Sequence, residues 1–449
     1  MSSLALPASV RRLDETPIPS RPLSSQRDAR LDFWRALCLI DMILVHLVYD
    51  GVNFGPINKV VGEYTRFAAG GFVFVAGLSI GAIFLPRTFS PGGQKKTYLA
   101  LWRRALYILC INFAATLSFV ALDLIRGMRA DFPGLFPVIR NILTFREGGD
   151  LLLLYVIVVA ASPIMLELLR RKLWWVLAAV SFSLFCFGQY HPWLLSSPIH
   201  ENFPVLLWQA VFTAGALFGG VLPKYTALSR RTKLILAITA WAISILLWAG
   251  DFRSDFGWPY PWLPLSFVKT PLSNGEALRY FGLIFAIIFT TDLLWHRIKS
   301  SRFVAFANTM GRRSLTVYVA HVWVYQIIGF FCWYHKSWGA WQMLLAIPAV
   351  AACWAVARIL DWNQKRPAVR LSTNSRWIPI PLGTAVAALA VVVVAWIAPP
   401  LPSATALPPP IVGTSRTQPN WTDQGDNSAP SDDSTWNQLP VADTDIIHA

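Results

Sequence analysis

The sequence predicts an all-α protein, a polytopic transmembrane helical bundle of about ten or eleven spans with its N-terminus in the cytoplasm. Of 449 residues, 55% are hydrophobic and only 14% charged, with 21 Trp and 28 Phe. A soluble domain of that length does not have this balance. Apolar runs long enough to cross a hydrocarbon core of about 30 Å recur along the chain. Lys and Arg are dense in every second connection, the pattern that sets orientation.

The spans centre near residues 40, 76, 110, 160, 181, 213, 241, 285, 320, 348 and 388. The first, LDFWRALCLIDMILVHLVYDG, is too long and too charged for a removable signal peptide and lacks a small-residue cleavage site. Arg11, Arg12, Arg21, Arg27 and Arg30 precede it, making residues 1–30 a basic cytoplasmic segment. Basic clusters follow at Arg87 to Arg104, at Arg170, Arg171 and Lys172, at Lys224 to Lys233, at Arg297 to Arg313 and at Arg358 to Arg376. The opposite connections cover residues 51–65, 123–149, 189–204 and 251–272. The second contains most of the amphipathic FPGLFPVIRNILTFREGGD, which suits an interfacial position. The last two are rich in Pro and aromatics, and serve either as interfacial anchors or as sugar-stacking rims. Residues 31–398 form the membrane domain. Beyond it, PPLPSATALPPP opens an acidic, polar segment over residues 399–449, expected to be a disordered external tail.

With the N-terminus inside, 27 of the 39 Lys and Arg residues are cytoplasmic, 11 are external, and Arg35 lies within the first span. The net charge of +15 then follows from topology, because basic residues beside anionic inner-leaflet lipid are what orientation requires. No nucleic-acid partner is expected. Cys38, Cys110, Cys186, Cys332 and Cys353 are odd in number, have no CxxC spacing and fall in or beside spans, so they are expected to be buried small apolar side chains. The sequence calls for no metal.

Charged groups inside a span cost roughly 2.5–3.5 kcal/mol at its centre and usually face a cavity. The first span holds Asp32, Arg35, Asp41 and His46. On an ideal helix Arg35 and His46 point within roughly 20° of each other, about 16 Å apart along the axis. Asp32 can pair with Arg35 three residues on, and Asp41 points elsewhere. In the ninth span, GRRSLTVYVAHVWVYQ, a second polar stripe runs through Ser314, Tyr318, His321 and Tyr325, with Arg312 and Arg313 entering from the cytoplasmic side. The plainer alternative makes the two arginines positive-inside markers and His321 an interhelical hydrogen-bonding group.

Five segments in order, RDARLDFWRALCLIDMILVH, GGFVFVAGLSIG, GGDLLLLYVIVVAASP, ENFPVLLWQAVFTAG and MGRRSLTVYVAHV, resemble landmarks of the OpgC-type membrane proteins, succinyltransferases of osmoregulated periplasmic glucans. That group is similar in plan to the wider set of transmembrane acyltransferases that modify cell-surface sugars. The resemblance spans roughly residues 28–330. It also implies an acidic residue just before the first-span histidine; this sequence has Val45 there, so Asp41 or Asp50 would take that part.

The resemblance implies a multi-pass protein of the bacterial inner membrane that moves an acyl group from cytoplasmic acyl-CoA, succinyl-CoA or acetyl-CoA, to a glycan hydroxyl outside. Arg35, Arg312 and Arg313 would hold CoA phosphates by charge-assisted hydrogen bonds. His46 would act as general base or accept the acyl group itself. Asp32 would hold Arg35, and Tyr318 or His321 would polarise the thioester carbonyl. Asp150 and Asp50 stand at the outer surface, where a glycan would bind. The resemblance also points to Tyr155, Trp208 and Gln209, with Gln209 expected to bond a neighbouring helix. The partners implied are the glycan acceptor, membrane lipid and glycan-synthesis machinery. The competing class is a transporter or flippase of a glycan or lipid precursor, which would also need ionisable groups along a path.

Overall fold

The structure, a computed structural model, describes residues 28–51, 67–125, 150–192, 194, 203–254, 271–334 and 344–365. Among them are eleven helices and no strand. They are α1 (Ala29–Gly51), α2 (Phe67–Thr88, with a π-helical turn at Ile80–Phe84), α3 (Gly93–Ile125), α4 (Asp150–Arg170), α5 (Trp174–Tyr190) and α6 (Val205–Thr226). There follow α7 (Arg230–Ser254), α8 (Asn274–Ile298), α9 (Arg302–Arg312), α10 (Ser314–Tyr334) and α11 (Ala346–Lys365). The helices α2, α4, α6 and α8, with the stretch Arg230–Trp248 of α7, are long and apolar enough to cross a membrane. Ten predicted span centres fall on helices; the one near residue 388 lies outside the described residues, as do residues 1–27 and the tail.

The helix not predicted is α9, which is too short and too polar to span. Ser301 caps it, its Oγ accepting from the Val304 amide at 3.2 Å. Val304, Ala307, Met310 and Gly311 face inward, and Arg302, Phe303, Ala305 and Arg312 face out.

α1 occupies the middle of the bundle, packed by α2, α9, α10 and α11. A close seam joins α2 to α6. A methyl group at Gly77 or Gly81 would overlap the carbonyl oxygens of Phe212 or Ala216, and one at Gly215 or Gly219 those of Phe74 or Leu78. Two small-xxx-small stripes thus let the backbones touch. Beside the seam, Phe74, Phe218, Phe285 and Phe289 interlock α2, α6 and α8. On the other side α7 turns Leu234, Ile235, Ile238, Ile245 and Leu246 outward, an apolar face suited to lipid.

Pro163 removes the amide that would bond the Val159 carbonyl in α4, and one residue on Trp102 Nε1 of α3 donates to the Ala160 carbonyl at 3.1 Å. α4 ends with Leu173 N–H bonding Leu168 O and Lys172 N–H bonding Leu169 O, and Lys172 has φ 61°. That left-handed position suits glycine. Lys172→Gly is expected to raise stability by about 1 kcal/mol, seen as a higher unfolding midpoint in detergent.

Gln209 bonds a neighbouring helix as expected: its Nε2 donates to Ser181 O and its Oε1 accepts from Ser181 Oγ, both at 2.9 Å. The cysteines divide. Cys38 and Cys353 are buried, but Cys110 and Cys186 lie on outward faces, so the expectation of burial fails for these two; an outward face of an apolar helix tolerates a thiol as readily as the core does.

Candidate functional site

The buried face of α1 begins with Asp32 and Arg35, whose side chains are 4% and 11% exposed. Arg35 Nη1 donates to Asp32 Oδ1 at 3.0 Å, the pair expected from the spacing. Its Nη2 donates to Ser79 Oγ of α2, and Ser79 donates in turn to the Val75 carbonyl at 2.7 Å. Ser79 immediately precedes the π-helical turn, a widening that recurs at functional positions in α-helices. Gly311, at the end of α9, presses on the same place, since a methyl group there would overlap the Asp32 carbonyl oxygen.

From Arg35 a line of rings runs toward His46. Tyr155 of α4 lies within electrostatic reach of Arg35 and of Arg104 on α3. Its ring meets Phe72 of α2 edge-on at 5.6 Å between centroids, and Phe72 stacks with Tyr318 of α10 at 6.0 Å. Tyr318 meets His321 at 4.9 Å, and His321 faces His46 at 5.4 Å. Four helices, α1, α2, α4 and α10, close around this track, which connects the two ends of the polar face of α1. Asp41, off that face as expected, lies by Cys38.

Two polar atoms on the track are buried without a hydrogen-bond partner among the described residues: the Tyr155 hydroxyl and His321 Nε2. The other ring nitrogen of His321, Nδ1, bonds the Tyr318 carbonyl. A carbonyl only accepts, so a neutral ring bonded this way carries its proton on Nδ1 and presents a lone pair at Nε2. In that form His321 takes a proton and has none to give at Nε2.

Arg312 Nη2 and Arg313 Nε donate to the two carboxylate oxygens of Asp361 on α11, at 2.9 and 2.8 Å. Because Gly311 abuts Asp32, these two arginines and Arg35 occupy the same end of the bundle. The side chains of Asp50, Asp150 and Tyr325 lie outside the described residues.

Two ionic groups escaped the sequence reading. Asp292 of α8 accepts from Arg30 at 2.6 Å and pairs with Lys233 of α7 at 3.0 Å, tying three helices at the Arg35 end of the track. Nothing in sequence links Arg30 to a residue 262 positions away. Glu276 and Arg279, in the first turns of α8, form a buried pair at 3.1 Å. An i, i+3 Glu and Arg at the head of an apolar run is the same sequence signal as Asp32 and Arg35.

The fold and this interior defines a class: a helical membrane protein that keeps ionisable side chains along one central helix. The family model described as OpgC protein matches residues 27–365, about three quarters of the chain and all eleven helices, and the chain belongs to that family. Membership supports a membrane acyltransferase role. No curated protein matches the sequence.

Proposed function

We propose that the protein is an inner-membrane O-acyltransferase that carries an acyl group, succinyl by preference over acetyl, from cytoplasmic acyl-CoA to a hydroxyl of a periplasmic or cell-surface glycan. The observation that carries this reading is α1 itself, with a fixed guanidinium near one end and an imidazole near the other, joined by a buried track. The donor is made inside and the acceptor lies outside, so a catalyst must reach both faces. With the N-terminus cytoplasmic, Arg35, Arg312 and Arg313 receive the CoA phosphates at the inner end, each oriented by a carboxylate. His46 takes the proton of the acceptor hydroxyl, or carries the acyl group in a two-step route that isolation of labelled enzyme would reveal. Asp50 and Asp150 stand at the outer end, where the glycan, delivered by its synthesis machinery, arrives.

Purified protein in detergent with radiolabelled acyl-CoA is expected to consume the thioester in the presence of glycan, or to acquire label. Doing neither would return the chain to the transporter or flippase class. Arg312→Gln and Arg313→Gln are each expected to weaken acyl-CoA binding, measured by calorimetry, by roughly 1.5–3 kcal/mol. Unchanged affinity in both would leave these arginines as topological markers held by Asp361.

A further inference from the structure

We infer that the Tyr155 hydroxyl donates the hydrogen bond that stabilises the thioester carbonyl oxygen during transfer, an assignment that rests on the acyltransferase reading above. A buried hydroxyl without a partner is costly, and a ligand atom that accepts from it offsets that cost. Its place fits the reacting carbonyl. Tyr155 is within electrostatic reach of Arg35, where the donor phosphates are held, and is linked through Phe72 and Tyr318 to the two histidines. A thioester anchored at Arg35 reaches along this line toward the base at His46, and Tyr155 stands on the line. The rival donors are less suited. His321 presents a lone pair at Nε2, which repels a carbonyl oxygen, and the Tyr318 hydroxyl is not among the unpartnered groups.

In the step this implies, the acceptor oxygen bonds to the carbonyl carbon as its proton passes to the imidazole of His46. Negative charge moves onto the carbonyl oxygen, where the Tyr155 O–H holds it. Collapse restores the C=O bond and breaks the C–S bond, and the departing sulfur takes the proton from the imidazole. An ester and a free CoA thiol result, with no other reactant.

Tyr155→Phe is the test. The expected result is a kcat lower by about 100- to 1000-fold, with acyl-CoA affinity by calorimetry unchanged and the thermal midpoint unchanged or higher, because no bonded partner is lost. A kcat close to that of the unaltered protein overturns the assignment. So does a lowered midpoint with weakened acyl-CoA binding, which would make the hydroxyl structural. An unaltered protein that consumes no thioester overturns the acyltransferase reading itself, whereas an active protein with an equally active Tyr155→Phe variant removes only the role of Tyr155.

Discussion

His46→Ala is expected to stop acyl transfer, with kcat lower by about 10²- to 10⁴-fold, while the variant inserts, accumulates and binds acyl-CoA as before. The imidazole lies eleven residues beyond Arg35 on the same face of α1, about 16 Å along the axis, too far to touch phosphates held at the other end. Its neighbour His321 faces it at 5.4 Å and has its own bond to the Tyr318 carbonyl, so truncating His46 leaves that ring in place. Turnover of labelled acyl-CoA by purified variant, set beside its detergent-solubilised yield, measures the effect. Normal turnover by a well-expressed His46→Ala protein would move the base elsewhere, with His321 Nε2 the next group to substitute.

Gly215→Ala is expected to have a large effect on the fold. The added methyl would meet the Phe74 carbonyl oxygen, and that contact is backbone, so no rotamer change relieves it. Either α2 moves away from α6 or the seam fails, at a cost of about 3 kcal/mol or more, the upper end of overpacking in a tight core. Gly220 is the control on the same helix. A methyl there meets only the Leu85 side chain at 3.6 Å, ordinary contact. Gly220→Ala should therefore be neutral or gain up to about 1 kcal/mol from helix propensity. Unfolding midpoints in one detergent compare the two, and equal midpoints would mean that the seam carries no special closeness.

What the sequence made legible was what periodicity encodes. Arg35 and His46 share a face because 3.6 residues make a turn, and Asp32 reaches Arg35 because three residues do, whichever helices surround them. Tyr318 and His321 were legible as a stripe for the same reason. The partner of each stripe was not. That α10 faces α1, or that Phe72 stands between Tyr155 and Tyr318, is decided by interhelical packing, which has no local signal. α9 escaped because an eleven-residue amphipathic helix lacks the long apolar run by which spans are found. Gly77, Gly81, Gly215 and Gly219 could be read as small-xxx-small stripes, but only the assembled bundle pairs one stripe with the other. Asp361 gave no sign that it would meet Arg312 and Arg313, and the unpartnered state of Tyr155 is a property of its surroundings.

The Asp292 junction bears on how the chain enters the lipid. α8 holds Glu276, Arg279, Asp292 and Arg297, and a helix with four ionised groups is a poor candidate to partition alone from the translocation channel. Glu276 and Arg279 offset each other within the helix, but the counterions of Asp292 come from Lys233 on α7 and Arg30 on α1. Both are synthesised earlier. α7 and α8 are also joined along their length, so α8 is best released as the second arm of a hairpin whose first arm already carries its neutralising charge. On this view the order of synthesis is part of the design: Arg30 and Lys233 are already in place when Asp292 emerges to meet them.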